Sequence, residues 1–268
     1  MSNPSPGMGE RLAALAGGRP WWPLVEATPR WIRVRSGEEL VADSHRALLH
    51  VQYGPGALPR SYLPTYYLPI DDVVSGVLVD RVDDEAGLSV WSVQTGGRRV
   101  DGAAWMHPSP PPQLEALAGM VTFSWRDPIT WFEEDEPLLM HARDPHKRVD
   151  VVRSSRQVRV EHGGVLLAAS KRPVLLFETT LPVRYYLPPE DVQVDLVPSA
   201  TQSACPYKGV ATWWSVRIGD RVIEDVAWSY ESPIPENPRI AGLICFRNEH
   251  VDLIVDGAPL ERPLTPWS

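Results

Sequence analysis

The chain has 268 residues and a formal net charge of -8, with 43% hydrophobic and 22% charged residues. That is the composition of an ordinary soluble globular protein with room for two domains. The negative balance argues against nucleic acid, whose phosphates call for clustered cations.

The 28 Pro and 11 Trp point to β structure, because Pro delimits strands and sits badly inside helices, while Trp supplies large apolar area. Cys205 and Cys245 are the only cysteines. That excludes a Cys-only zinc site and a disulfide framework, and two reduced thiols in a cytosol are expected. No run approaches the ~18 apolar residues of a membrane span. The N-terminus lacks a basic start followed by a long apolar stretch. The sequence therefore predicts a cytoplasmic protein with no membrane partner.

In chain order, residues 1–29 form a Pro/Gly-containing lead with a short helix expected around Glu10 to Ala16. Trp21-Trp22-Pro23 is expected to dock on a domain, since two adjacent exposed Trp would leave an apolar patch. A first repeat then spans 30–139, a link 140–150, a second repeat 151–260 and a tail 261–268. The repeats are read from recurring segments. Arg30 to Val34 returns as Arg156 to Val160, and Tyr66-Tyr67-Leu68-Pro69 as Tyr185-Tyr186-Leu187-Pro188. Trp91-Ser92-Val93 returns as Trp214-Ser215-Val216, Ala104-Trp105 as Ala227-Trp228, and Leu117-Ala118-Gly119 as Ile240-Ala241-Gly242. Order is kept and only loop lengths change.

Apolar residues alternate with polar ones, as in Val158 and Val160 or Trp214, Val216 and Ile218, which predicts strands. Strands are also expected at Leu243 to Phe246 and Val251 to Val255, the latter closed by the turn pair Asp256-Gly257. Gly96-Gly97 and Gly163-Gly164 mark hairpin turns. Pro188 to Val192 and Pro69 to Val73 predict helical turns, since Pro fits the first turn and acids suit a helix start. A further helical piece is expected within Pro235 to Ile240. The fold class is mainly β: two tandem, compact antiparallel domains with short helices.

Several of these segments carry a resemblance. Both halves resemble the bacterial "domain of unknown function 427" family, which also bears a nucleotidyltransferase-like label. The second half carries it through Tyr185 to Val192, Cys205-Pro206-Tyr207-Lys208-Gly209, Trp214-Ser215-Val216 and Glu224 to Tyr230. The first carries it through Tyr66 to Pro69, Trp91 to Val93, Ala104-Trp105 and Trp131 to Glu136. The resemblance implies compact β-rich domains with a tent-like arrangement of sheets. It implies no activity, and the chain has no Gly-rich phosphate loop or paired-Asp metal motif to support the transferase label. The first repeat lacks the Cys-Pro-Tyr-Lys-Gly motif; its corresponding stretch, Val79 to Leu88, is acidic.

The difference between repeats directs attention to the second. Cys205 is a candidate nucleophile if a cation lowers its pKa, and Lys208 stands three residues on. The plainer reading makes Cys205 a small apolar plug. Lys208 is a candidate anion ligand or Schiff-base amine, or else a salt-bridge partner of Glu224 or Asp225. Arg184, where the first repeat has Thr65, is a candidate clamp for a carboxylate or phosphate, or an ion-pair partner. Tyr185, Tyr207, Trp228 and Tyr230 are candidate pocket walls or core. Trp228 and Tyr230, two apart, should share a face; Tyr185 and Tyr186 should face opposite ways. The seven His are scattered and predict no metal site, and no cofactor is implied.

The reading favoured is a small-molecule binding protein with an aromatic, Lys/Arg-containing pocket in the second repeat or at the domain interface. One alternative is an enzyme using Cys205 or Lys208 on a carbonyl or acyl substrate. Another is a protein-interaction module.

Overall fold

A computed structural model describes residues 24–53, 58, 60 and 62–265. The helix expected near Glu10 and the Trp21-Trp22-Pro23 segment lie outside these. The chain forms two compact units, one running to Asp144 and one starting at Pro145.

The first unit contains β1 (Leu24–Ala27), β2 (Ile32–Ser36), β3 (Glu39–Ser44), β4 (Leu48–Val51), β5 (Thr65–Pro69) and β6 (Leu78–Asp83). It continues through β7 (Ser89–Thr95), β8 (Arg98–Met106), β9 (Met120–Phe123), β10 (Ile129–Glu133) and β11 (Glu136–Pro137). Seven strands pair in the order β1-β4-β5-β9-β8-β7-β6, and four in the order β11-β10-β2-β3.

The second unit repeats this strand for strand. Its elements are β12 (Val149–Arg153), β13 (Val158–His162), β14 (Val165–Ser170), β15 (Val174–Glu178), β16 (Arg184–Leu187) and β17 (Asp195–Cys205). Then come β18 (Gly209–Ile218), β19 (Arg221–Ser229), β20 (Ile244–Phe246), β21 (Asp252–Val255) and β22 (Ala258–Pro259). The orders are β12-β15-β16-β20-β19-β18-β17 and β14-β13-β21-β22. Adding eleven to a strand number converts one unit into the other. Register irregularities recur too: β7/β8 shifts between Trp91 and Val93, and β18/β19 between Trp214 and Val216. At that bulge Gly102 and Asp225 hold matching left-handed backbones, φ 58 and 49.

Alternation places the core. In β13, Val158 and Val160 are buried while Arg159 is exposed, and in β2 Ile32 and Val34 are fully buried. In each unit the inner face of the large sheet packs on the small sheet: Val158, Val160, Leu253 and Val255 meet Tyr185, Leu187 and Phe246. The central strands of the large sheet are buried on both faces, so their outer face needs its own cover. In the first unit the 3-10 segment Pro112–Leu117 supplies Leu114 and Leu117 against Tyr67. In the second, Ile240 from the turn Pro238–Ile240 joins Leu176, Tyr186, Trp228, Tyr230 and Cys245. The helical turns expected after each Tyr-Tyr-Leu-Pro segment are the 3-10 turns Ile70–Asp72 and Pro189–Asp191.

Two edges differ from the boundaries read from the repeats. Strand β1 lies ahead of Arg30, and β12 begins inside the 140–150 segment. Both are outermost strands, pairing β4 and β15. They carry none of the recurring motifs, so the repeats cannot mark them. The tail is tied down as well: Thr265 is fully buried, and its hydroxyl donates to Glu249 at 2.7 Å.

Candidate functional site

The outer face of the second unit's large sheet gathers most of the residues singled out above. Strand β16 alternates: Tyr185 points into the core between the sheets, while Tyr186 points outward to Trp228. Trp228 Nε1 donates to the Tyr186 hydroxyl at 3.2 Å, and Trp213 lies against Trp228 with centroids 5.3 Å apart. Tyr230 lies in the same cluster as Trp228. The structure thus separates Tyr185 from the other candidates and puts Tyr186 where a pocket tyrosine was sought.

Arg184 sits on that outer face with its Cζ 5.2 Å from the Trp228 ring. It is buried and makes two hydrogen bonds to Glu249, Nη1 to Oε2 at 2.8 Å and Nη2 to Oε1 at 2.7 Å. Burial alone would raise the Glu249 pKa, but the hydrogen bonds and charge of Arg184 prevail and hold it at about 2. The guanidinium fork is committed to a carboxylate of the same chain.

Cys205 and Lys208 lie at the tip of the β17–β18 hairpin. The turn is closed by the Lys208 amide donating to the Cys205 carbonyl at 3.2 Å. It is pinned from outside by Asn237 Nδ2 on the Tyr207 carbonyl at 2.6 Å and by the Ile234 amide on the Lys208 carbonyl at 3.0 Å. Gly209 has φ +109, and a Cβ there would stand 3.3 Å from the Ser232 carbonyl. Glycine meets both the left-handed backbone and the close approach.

Lys208 Nζ bonds Glu178 Oε2 at 2.5 Å, and Lys147 Nζ bonds Glu178 Oε1 at 3.1 Å. Lys147 also stands 5.5 Å from the centroid of Tyr207. All three charged side chains are largely buried, between 5% and 13% exposed. Burial pushes the Glu178 carboxyl up, yet the two lysines outweigh it and keep it ionised. Burial likewise acts against the Lys208 ammonium, but the Glu178 charge holds its pKa above the ordinary lysine value. The Glu224 or Asp225 pairing expected for Lys208 is replaced by Glu178. Asp225 instead accepts from the Thr201 hydroxyl at 2.8 Å.

Two lysines converge on the one carboxylate of Glu178. Cys205 and Tyr230 lie within the field of Lys208, and burial raises the pKa of Tyr230. Cys205 is half-buried; Cys245 is fully buried and pushed by burial up to about 12. Among the described residues no three His, Cys, Asp or Glu side chains converge as a metal would require. Sequence reasoning missed Glu178, Lys147 and Glu249; of the two tyrosines expected to face opposite ways, Tyr186 rather than Tyr185 faces the cluster. The only signal for Glu178 and Lys147 is that each lies near an end of a β12–β15 pairing.

The first unit shows what the same fold does without this cluster. From the pairing of β4 with β5 and β15 with β16, Gln52 stands at the Glu178 position and Thr65 at the Arg184 position. His107 replaces Tyr230 and Thr122 replaces Cys245 in the matching strands. The hairpin β6–β7 ends at the Asp83–Ser89 pair. In β17–β18 three further pairs follow the matching one: Ser203–Ala211, Ala204–Val210 and Cys205–Gly209. The Tyr67 hydroxyl meets His107 Nε2 at 3.2 Å. Burial lowers both His50 and His107 to about 4.

Two antiparallel domains with one strand order, repeated in tandem, define the class of this protein. The chain belongs to the family described as Domain of unknown function (DUF427), which matches residues 24–134 and 150–257. No curated protein matches the chain. No described helix is long and apolar enough to cross a membrane, which says nothing about membrane-crossing strands.

Proposed function

We propose that the protein binds a small anionic molecule at the Cys205–Lys208 hairpin of its second unit. The observation that carries this is the Lys147–Glu178–Lys208 cluster. Burying three charges costs more than apolar packing of the same volume, so such a cluster is a poor device for stability. The first unit builds the same sheets with Gln52 and a shorter hairpin, so the fold does not require it. Its two ammonium groups, beside Tyr207 and Tyr230, suit a carboxylate or phosphate with an apolar body.

Catalysis by Lys208 as an amine is disfavoured, because Schiff-base chemistry needs a neutral amine and Glu178 holds this one charged. The free thiols Cys205 and Cys245 suit a reducing compartment, and we place the protein in the cytoplasm.

Native mass spectrometry of freshly purified protein and of its Lys147→Met variant tests the reading, together with thermal shifts against small carboxylates and phosphates. A retained adduct or an upward shift, seen with the wild type and lost in the variant, is expected. Identical behaviour of the two proteins would sink it.

A further inference from the structure

Tyr230 is 4% exposed. Its hydroxyl has no hydrogen-bond partner among the described residues, yet its oxygen is not sealed from solvent. The two units differ here. In the first, the matching His107 meets the Tyr67 hydroxyl at 3.2 Å. In the second, the Tyr186 hydroxyl is engaged by Trp228 Nε1 instead, and Tyr230 is left over. A buried hydroxyl without a partner is costly. Lys208 adds further donors. An ammonium has three N–H groups; Glu178 takes one, and no other described residue takes the rest.

Cys205 shares the face of the sheet that carries Tyr230. Ser203 pairs with Ala211, and its hydroxyl accepts from Trp213 Nε1 at 2.9 Å. Ser203 and, two residues on, Cys205 therefore lie on the side of Ala211, Trp213 and Tyr230. The Lys208 charge reaches Cys205, Tyr230 and Glu178 alike. The strand between Tyr230 and Cys205 carries only small residues on this face. Gly209 pairs with Cys205, and Ala211 stands where the first unit has the buried Leu88.

We propose that the anion bound at this hairpin is a compact carboxylate, whose oxygens accept from the Tyr230 hydroxyl and the Lys208 ammonium while its body lies beside Cys205. This rests on the binding reading above and narrows it. The unused donors of Lys208 and Tyr230 match the two oxygens of a carboxylate, each of which accepts more than one hydrogen bond. A phosphate brings a third strong acceptor oxygen and a larger charge, and the Glu178 carboxylate opposes that charge. The small side chains at 209 and 211 suit a short body.

Affinity labelling of Cys205 is the test. Iodoacetate and iodoacetamide both alkylate a thiolate: the sulfur–carbon bond forms and iodide leaves. An ordinary thiol favours the neutral amide, because thiolate and carboxylate repel. Docking on Tyr230 and Lys208 reverses that order at Cys205, read by peptide mass spectrometry. At constant ionic strength, acetate and propanoate should protect Cys205 from iodoacetate, and inorganic phosphate and propanamide should protect far less. Tyr230→Phe keeps every charge and breaks no internal hydrogen bond, so it should unfold at the wild-type urea concentration. It should raise the propanoate concentration for half-protection about tenfold. Thermal shifts rank the same compounds without needing the thiol to react. Phosphate binding better than propanoate would overturn the carboxylate assignment and leave the anion reading standing. Tyr230→Phe binding propanoate as well as the wild type would also overturn the proposal. No protection and no thermal shift with any anion would overturn both.

Discussion

Arg184 and Glu249 meet through two parallel hydrogen bonds of 2.8 and 2.7 Å beneath the face of Trp228. Removing one partner of a buried pair leaves the other charge uncompensated, so Glu249→Gln should cost about 3–5 kcal/mol in urea unfolding at neutral pH. The pH dependence has a defined sign. Glu249 is held at about 2 in the fold against an ordinary value of 4.5. Its stabilisation is complete above the ordinary value and is lost as pH falls through about 2. The wild type should weaken across that window, and Glu249→Gln should lack this component of the slope.

Glu178 binds two lysines at once, one on each carboxylate oxygen. Glu178→Gln should lower stability by about 3–5 kcal/mol, because both ammonium groups stay buried. Adding Lys208→Met should recover part of that loss. A double-mutant cycle in urea measures the coupling, and additive losses would show that the pair does not interact.

His50 and His107 titrate at about 4 in the fold, chiefly through burial, against 6.5 ordinarily. A depressed value means the unfolded chain takes up protons first, so the first unit loses stability as pH falls from about 6.5 to about 4. In a proton NMR titration the ring signals of both residues should hold at their neutral positions down to about pH 5. Replacing His107 with Phe should shift acid unfolding to lower pH.

Cys205 is half-buried and Cys245 fully buried, with its pKa at about 12. A disulfide reagent should modify Cys205 in the native protein and Cys245 only after denaturant is added. Equal rates for the two would contradict the burial of Cys245.

Gly209→Ala should destabilise by at least about 1 kcal/mol, since the backbone is left-handed and the new methyl group presses on the Ser232 carbonyl. Ligand binding at the hairpin tip should weaken with it, read in the same native mass spectra.

Much of the frame is legible in the amino-acid order. Period-two patterns place Val158 and Val160 in one core and Tyr185 and Tyr186 on opposite faces. Asp256-Gly257 supplies the two left-handed residues of the turn between β21 and β22. The partners of the candidate residues are not legible in the same way. Glu224 and Asp225 are the partners the sequence offers Lys208. Its partner, Glu178, is 30 residues away at the end of a strand, and only the register of β15 against β12 and β16 brings it there.

The three added rungs of β17–β18 also bear on how such a chain changes over time. A hairpin tip is a free end of the sheet, so rungs added there leave the register of every inner strand untouched. Side chains alternate faces along a strand, so each rung gained or lost swaps which residues the tip aims at the cover segment around Ser232 to Asn237. Length at this one position therefore works as a dial. It rewrites the chemistry presented at the edge of a domain whose interior need not be redesigned.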